Sequence, residues 1–121
     1  MKRMKVLPLS LREKKRYIAF KVIHEEGEDF PQEDLISAIW NTFLDFYGEH
    51  GVSTLSLKVL KDLWREKSKV GVVRCNHISV WKVILGLGLI SRLGDTKITI
   101  KILKVSGTLK KIKETLQQLK K

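Results

Sequence analysis

The chain has 121 residues, of which 43% are hydrophobic and 31% charged, and it carries a net charge of +11 at pH 7. This length suits one domain over residues 1–121 with its own core, and a single cysteine, Cys75, excludes an internal disulfide and gives no sign of a secreted protein. The first ten residues are basic but lack the apolar segment of a signal peptide, so we expect a cytoplasmic protein without a membrane segment.

The charges are sorted along the chain. Between residues 17 and 50, one basic residue stands against eight acidic ones, a net of −7, so the rest of the chain carries +18. A surplus of this size outside one acidic segment predicts a polyanionic partner, most simply nucleic acid. On composition alone, a basic ribosome-like or membrane-surface protein is the alternative.

Alternation and helical spacing of apolar residues predict seven regular elements. In chain order we expect a basic arm over 1–15, a strand over 16–23, a helix from about 31 that ends at Gly48 and Gly51, two hairpin strands over 55–64 and 70–75, a helix over 78–93, a strand over 97–103 and a last helix over 106–119. The order β-α-β-β-α-β predicts a ferredoxin-like α/β sandwich with an antiparallel sheet, the architecture of RNA-recognition domains, with an added C-terminal helix.

The two longer predicted helices differ in their apolar surface. The first has one heavy stripe, which consists of Ile36, Ile39, Trp40, Phe43 and Tyr47. The second is apolar nearly all round, with Ile78, Trp81, Leu85 and Leu89 along one side. Such a helix is either deeply buried or covered by a partner. We expect Asn76 to cap it, and Gly86 and Gly88 to allow close helix packing.

The segment Leu11–Phe20 (LREKKRYIAF) is the densest basic cluster with an aromatic neighbour. Its cations would meet phosphates, and Tyr17 would stack on a base from the solvent face of the sheet. The predicted RNA-binding residues of this cluster are Arg12, Lys14, Lys15 and Arg16. The alternative is a solvated basic terminus with Tyr17 in a minor core.

The segment Leu103–Lys113 (LKVSGTLKKIK) predicts a phosphate site at a helix start. Ser106 and Gly107 would leave backbone N–H groups open to an anion. The flanking cations are Lys104, Lys110, Lys111 and Lys113. Simple N-capping by Ser106 or Thr108 is the alternative, and both can hold together.

Other candidate residues carry weaker predictions. Arg74, at the end of an apolar strand, would pair with RNA or with an acidic group, with nearly even weight. Cys75 and His77 have no second pair at zinc spacing, so we expect a core cysteine and no metal site. The acidic run Glu25–Asp29 suits a solvated loop or a surface for a basic partner better than the carboxylates of a metal-dependent nuclease.

Three motifs in order, LREKKRYIAF, VGVVRC and KVSGTLKKIK, resemble archaeal ribonuclease P protein component 2 over about residues 7–119. The resemblance implies a subunit of the ribonucleoprotein that removes the 5′ leader from precursor tRNA, with ribonuclease P RNA as catalyst. It also implies a TIM-barrel-like partner protein, component 3, in a heterodimer or heterotetramer. Precursor tRNA would be met only indirectly, and the required magnesium would belong to the RNA, so no cofactor is expected on the chain itself.

The chain differs from RNA-recognition domains in a strand that bears on how it would bind RNA. The mid-chain strand VGVVRC lacks the aromatic residues that stack on bases, so we expect phosphate and shape contacts by Lys and Arg. We expect the acidic segment or the helix over 78–93 to meet the protein partner. The rivals are a general RNA-binding module, ribosomal or chaperone-like, and a nuclease acting through Glu25–Asp29.

Overall fold

The computed structural model describes residues 14–24, 30–94 and 96–118. The basic arm up to residue 13, the acidic run Glu25–Asp29 and Leu119 therefore lie outside the described residues. The elements are β1 (Lys15–His24), α1 (Gln32–Ser53), β2 (Lys58–Val59), β3 (Val70–Asn76), α2 (Val80–Gly88), β4 (Arg92–Leu93), β5 (Thr96–Ser106) and α3 (Leu109–Gln118).

The strands form one antiparallel sheet in the order β2-β3-β1-β5-β4. Without the short β4, the order is that of a ferredoxin-like sandwich, so the predicted fold class is confirmed. Alternation over 16–23 predicts that Ile18, Phe20 and Val22 share one buried face, and all three enter the main core beneath α1 and α2. Ala19, which faces the other side, is buried as well.

The helix α1 buries Leu35, Ile39 and Phe43. Ile36 and Trp40, predicted on the same stripe, are only partly buried, because the buried face is turned by one residue towards Leu35. The first regular helical stretch ends at Gly48, as predicted: the backbone leaves the helical region there, at φ 77° and ψ 170°. A second helical stretch follows this kink and continues past Gly51, the other predicted end, to Ser53. The positive φ suits glycine, which has no Cβ to clash.

The strand predicted over 55–64 is wrong in extent. Only Lys58 and Val59 pair with β3, and a 3-10 turn follows at Lys61–Leu63. Leu55, Leu57, Val59 and Leu63 were predicted to share one face. The first three enter the main core or pack against it, whereas Leu63 packs, with Leu60, against a second cluster. Local alternation does not distinguish this arrangement from a strand with one buried face.

The second helix is also shorter than predicted. A 3-10 turn at His77–Ser79 precedes α2, which ends at Gly88, and residues 92–93 form β4 instead. Asn76 makes no side-chain capping hydrogen bond, so that prediction is wrong. Its Nδ2 donates to the carbonyl oxygen of Thr54 at 2.7 Å and ties β3 to the end of α1.

The helix α3 lies on the opposite face of the sheet from α1 and α2. It builds a second apolar cluster whose buried members are Ala19, Val70, Val72, Ile112 and Leu116. Helical spacing in the sequence predicts an apolar stripe of Leu109, Ile112, Leu116 and Leu119, and the stripe is confirmed for its three described residues. RNA-recognition domains use an open sheet face to stack bases, and here α3 covers the middle of one face. No helix among the described residues is long and apolar enough to cross a membrane.

A β-bulge in β5 changes which way its second half faces. Ala19 lies opposite Lys104 whereas Phe20 lies opposite Ile102, so Leu103 is an extra residue. Before the bulge, Ile98, Ile100 and Ile102 point to the main core, which confirms the inward face that alternation over 97–103 predicts. Strict alternation would send Lys104 to that core too, but the bulge places it with Ala19 on the α3 side, where it is exposed.

Candidate nucleic-acid interface

The antiparallel topology brings the three basic motifs to one end of the sheet. Because β1 runs against both β3 and β5, it begins where those two strands end. Tyr17 lies directly opposite Arg74 on one side and Ser106 on the other. We call this region the motif end and define it as residues 14–17, 74–76 and 104–107. Tyr17, Arg74 and Ser106, which are 57 and 32 residues apart along the chain, thus meet on three adjacent strands.

Arg16 joins the first and third motifs. Its guanidinium lies against Gly107: a Cβ added there would sit 3.4 Å from Nη1 and 3.8 Å from Cζ. The same Nη1 donates to the carbonyl oxygen of Lys15 at 2.9 Å. Arg16 also lies opposite Cys75, whose pKa is raised to about 11 by burial, an effect that the positive charge of Arg16 partly offsets. The guanidinium is therefore held at the point where β5 turns into α3.

Arg74 is half-buried in the centre of the motif end. Its Nε is buried and has no hydrogen-bond partner within the described residues. On β2, Lys58 lies directly opposite it, so Lys58, Arg74 and Tyr17 form a row across three strands. A buried guanidinium N–H without a partner is costly, which favours a ligand at this position. The prediction that Arg74 contacts RNA or an acidic group stays open between the two.

A groove between the β2 segment and α3 extends this row. Its lining includes three exposed lysines, Lys58, Lys61 and Lys113, and a single acidic residue, Asp62. Lys113 is one of the predicted RNA-binding residues, whereas Lys58 and Lys61 were missed. They were missed because the strand predicted over 55–64 gave no reason to place them beside the C-terminal helix.

The start of α3 is closed by its own polar side chains. The Oγ of Ser106 accepts the N–H of Thr108 at 3.1 Å, and the Oγ1 of Thr108 accepts the N–H of Lys111 at a long 3.4 Å. N-capping, one of the two alternatives for this segment, is thus present. A phosphate at the same helix start stays a prediction. Lys110 and Lys111 are exposed on the first turn, where they could reach an anion from solvent.

The remaining predicted residues are distributed around the same end. Arg12 lies outside the described residues. Lys14 is exposed, and its carbonyl oxygen accepts the N–H of His77 at 2.8 Å. Lys15 is partly buried opposite Asn76. Lys104 is exposed beyond the bulge of β5, on the α3 side of the sheet.

The sheet as a whole is basic. Its five strands contain nine Lys or Arg residues and no Asp or Glu. Four of the acidic residues that the structure describes are exposed on α1, on the other side of the sheet from α3: Glu33, Asp34, Asp45 and Glu49. The segregation of charge seen along the sequence therefore becomes a segregation between layers of the fold.

The outward face of α2 is apolar and uncovered. Exposure is 76% at Ile78, 81% at Trp81, 54% at Leu85 and 44% at Leu89. These four residues, spaced three or four apart, are called here the outer α2 stripe. They were predicted on one side of the helix, and the structure shows that this side faces solvent, because Val83, Gly86 and Leu87 face the core. A cluster of exposed large apolar side chains is typical of a protein interface.

The described residues contain no group of three or more His, Cys, Asp and Glu side chains arranged to hold a metal ion. The acidic run considered for a nuclease lies in the part of the chain that the structure does not describe. Cys75 is fully buried and belongs to the main core, which confirms its predicted role.

Comparison with known proteins supplies the family. The family model described as "Rpp14/Pop5 family" matches residues 16–117. The protein named ribonuclease P protein component 2 from Pyrococcus furiosus is 42% identical over 92% of this chain and 89% of its own length. The protein of the same name from Methanocaldococcus jannaschii is 35% identical over 98% of this chain and 84% of its own length.

A solved structure supports the fold independently. A chain in the cryo-EM structure of yeast ribonuclease MRP superposes with a TM-score of 0.62, covering 88% of this chain and 94% of that one, at 16% sequence identity. The family model covers the second and third motifs and the first motif from Arg16 onwards, and the archaeal relatives align with nearly the whole chain. The chain therefore belongs to the Rpp14/Pop5 family, together with the archaeal proteins named ribonuclease P protein component 2.

Proposed function

We propose that this chain is a protein subunit of ribonuclease P, the ribonucleoprotein that removes the 5′ leader from precursor tRNA. The observation that carries the proposal is the convergence of three basic motifs on one end of the sheet, in a chain whose archaeal relatives bear the name of that subunit. The chain would bind ribonuclease P RNA and stabilise its active fold without catalysing cleavage itself. The reaction's magnesium requirement would lie with the RNA.

The mode of binding follows from the sheet. Valines occupy the middle of β3, and α3 packs over them, so stacking of bases on this part of the sheet is not open to the chain. The exposed cations instead support binding to the phosphates and the shape of RNA helices. At the motif end they would offset the repulsion between RNA strands that converge there. That is the physical basis for lowering the magnesium concentration that the RNA needs.

A protein partner would occupy the other side of the fold. The outer α2 stripe is uncovered, and the hydroxyl of Tyr47 on α1 donates to the carbonyl oxygen of Lys82 on α2 at 2.6 Å, which fixes the two helices together. A rigid apolar stripe with a central tryptophan is the kind of surface on which interface energy concentrates. We propose that component 3 of ribonuclease P binds here, on the opposite side of the sheet from α3.

The deciding experiment is cleavage of precursor tRNA by a reconstituted archaeal ribonuclease P RNA at limiting magnesium. It is run with component 3, with and without this chain. Restored leader removal that requires both the RNA and the chain supports the subunit function. Tight RNA binding without restored cleavage would favour a general RNA-binding module instead. Cleavage by the chain alone would favour the nuclease.

The salt dependence of RNA binding tests the electrostatic part. If six cations contact phosphates of a duplex-like RNA, log affinity falls with log salt with a slope of about −5. The Lys58→Gln/Lys113→Gln variant removes two charges from the groove, and we expect a slope shallower by about 2. The Lys67→Gln/Lys82→Gln variant, which removes two exposed charges elsewhere, is the matched control. A wild-type slope near zero would contradict phosphate binding.

A further inference from the structure

Two pairs of like charges face each other directly across the sheet, away from the motif end. Lys21 on β1 lies opposite Lys101 on β5, and Arg92 on β4 lies opposite Lys97 on β5. All four side chains are exposed, and within the part of the chain that the structure describes none of them forms an ion pair. They are called here the strand patch. None was among the residues predicted to bind RNA.

The strand patch lies on the same side of the sheet as α3 but beyond it. Lys97 and Lys101 alternate with Ile98 and Ile100, which point to the main core, so the lysines point to the other side. The helix α3 packs over Ala19, Val70 and Val72, towards β3 and the β2 segment. Leu103, further along β5, still packs against the cluster under α3. Within the described residues, the part of this face formed by β4 and the first half of β5 is exposed to solvent.

Directly opposed like charges destabilise an antiparallel pair of strands. A surface that served only solubility would place a Glu or Asp opposite at least one of these cations, yet none of the five strands that the structure describes contains an acidic residue. The repulsion is thus present twice, at neighbouring sites, without compensation inside the sheet. An anion bound from outside would offset it.

The spacing of the two pairs of cations indicates which kind of anion would bind them. Opposed side chains have Cβ atoms about 5 Å apart, and four residues along a strand span about 13 Å. A single phosphate reaches one pair only, so a ligand for both must carry phosphates in series. Between the pairs lie Ile23 and Thr99, opposite each other and without an aromatic ring for a base. The patch suits a sugar-phosphate backbone and no base-specific contact.

We propose that the strand patch is a second RNA-backbone contact, separate from the motif end. This inference rests on the proposed ribonuclease P function and names a further surface for the same RNA. Lys21 lies four residues along β1 from Tyr17, about 13 Å away, so the two surfaces flank α3 along the strands. One RNA segment running past α3, or two segments held side by side, would contact both.

The test is a titration of archaeal ribonuclease P RNA with the full chain over a range of salt concentrations. The variants are Lys21→Gln/Lys101→Gln and Arg92→Gln/Lys97→Gln, with Lys67→Gln/Lys82→Gln as the control of equal charge. We expect each patch variant to bind about tenfold more weakly, with a salt slope shallower by about 2 than the control. We also expect the melting temperature of each to rise by about 2 °C at low salt, because the like-charge repulsion is removed.

The combination of weaker RNA binding with a more stable fold separates ligand contact from damage to the sheet. If the patch variants match the control in RNA affinity and in salt slope, and the wild type restores cleavage, the inference is overturned and the proposed function stands. A wild-type chain that neither binds this RNA above an unrelated RNA nor restores cleavage would overturn the proposed function and this inference with it. A patch variant with lower stability and an unchanged salt slope would likewise overturn it.

Discussion

The ring of Phe43 on α1 fills the space that a side chain at Gly86 on α2 would need. A Cβ at Gly86 would lie 2.6 Å from both Cε1 and Cζ of that ring. Because Gly86 has no side chain, the two helices pack closely at this point. Phe43 is therefore fully buried between α2 and the sheet. The close packing expected at Gly86 is thus confirmed. At Gly88 it is wrong, because nothing lies within 4 Å of an added Cβ.

Gly86→Ala is expected to lower the free energy of unfolding by about 1–2 kcal/mol. Overpacking against a buried ring outweighs the gain in helix propensity. Gly88→Ala, in the same helix with open space, should leave stability unchanged or raise it by about 0.5 kcal/mol. Chemical denaturation of both variants measures the difference. Equal stability of the two would contradict the packing seen at Phe43.

A second expectation concerns Lys69, a 7% exposed residue at a positive φ of 55°. Its ammonium pairs with Glu66 and lies 4.8 Å from the centroid of the Phe30 ring. Glu66 also accepts the indole N–H of Trp64 at 3.0 Å. Glu66→Ala should destabilise the fold by about 1–2 kcal/mol, because it leaves two donors without this acceptor.

Lys67→Ala, an exposed change in the same turn, is the matched control for Glu66→Ala and should stay within about 0.5 kcal/mol of the wild type. Thermal or denaturant unfolding reports both. If Glu66→Ala behaves like the control, the contacts around Lys69 contribute nothing to stability.

Cys75 predicts a loss of stability in alkaline solution. Burial raises the pKa of its thiol from 9.0 to about 11 in the folded chain, so the unfolded chain releases this proton first as pH rises. The contribution of the protonated Cys75 thiol to the free energy of unfolding is fully present below about pH 9. It is lost between about pH 9 and 11, by up to about 2 kcal/mol. Cys75→Ala should fall less steeply over that range in denaturation at several pH values. Parallel curves would contradict the shifted pKa.

If component 3 binds at the outer α2 stripe, as proposed, Trp81→Ala weakens that binding. A central exposed tryptophan at an interface contributes about 2 kcal/mol or more, which corresponds to about thirtyfold in affinity. Because Trp81 is 81% exposed, the stability of the free chain should change little. Ile23→Ala, an exposed apolar residue on the other side of the sheet, is the control. Unchanged affinity in the Trp81 variant, measured by titration calorimetry, would place the partner elsewhere.

Much of the fold was predictable because its signals are local. Alternation in 16–23 and 97–103 and the stripe of the last helix each depend on neighbours within one element. The predictions that were wrong are those that depend on distant contacts. The strand over 55–64 was wrong because Leu60 and Leu63 pack under α3, and the cap at Asn76 was wrong because its amide reaches Thr54.

By itself the sequence determined the order of elements, the segregation of charge and the three basic motifs, since these follow from composition and from the periods of helix and strand. Only the tertiary structure decided which charges meet. The pairing register places Lys21 opposite Lys101, and the bulge at Leu103 turns Lys104 to the α3 side. The position of α3 determines which part of that face stays exposed. A register shift of one residue would reverse every side chain of a strand, and no local period specifies it.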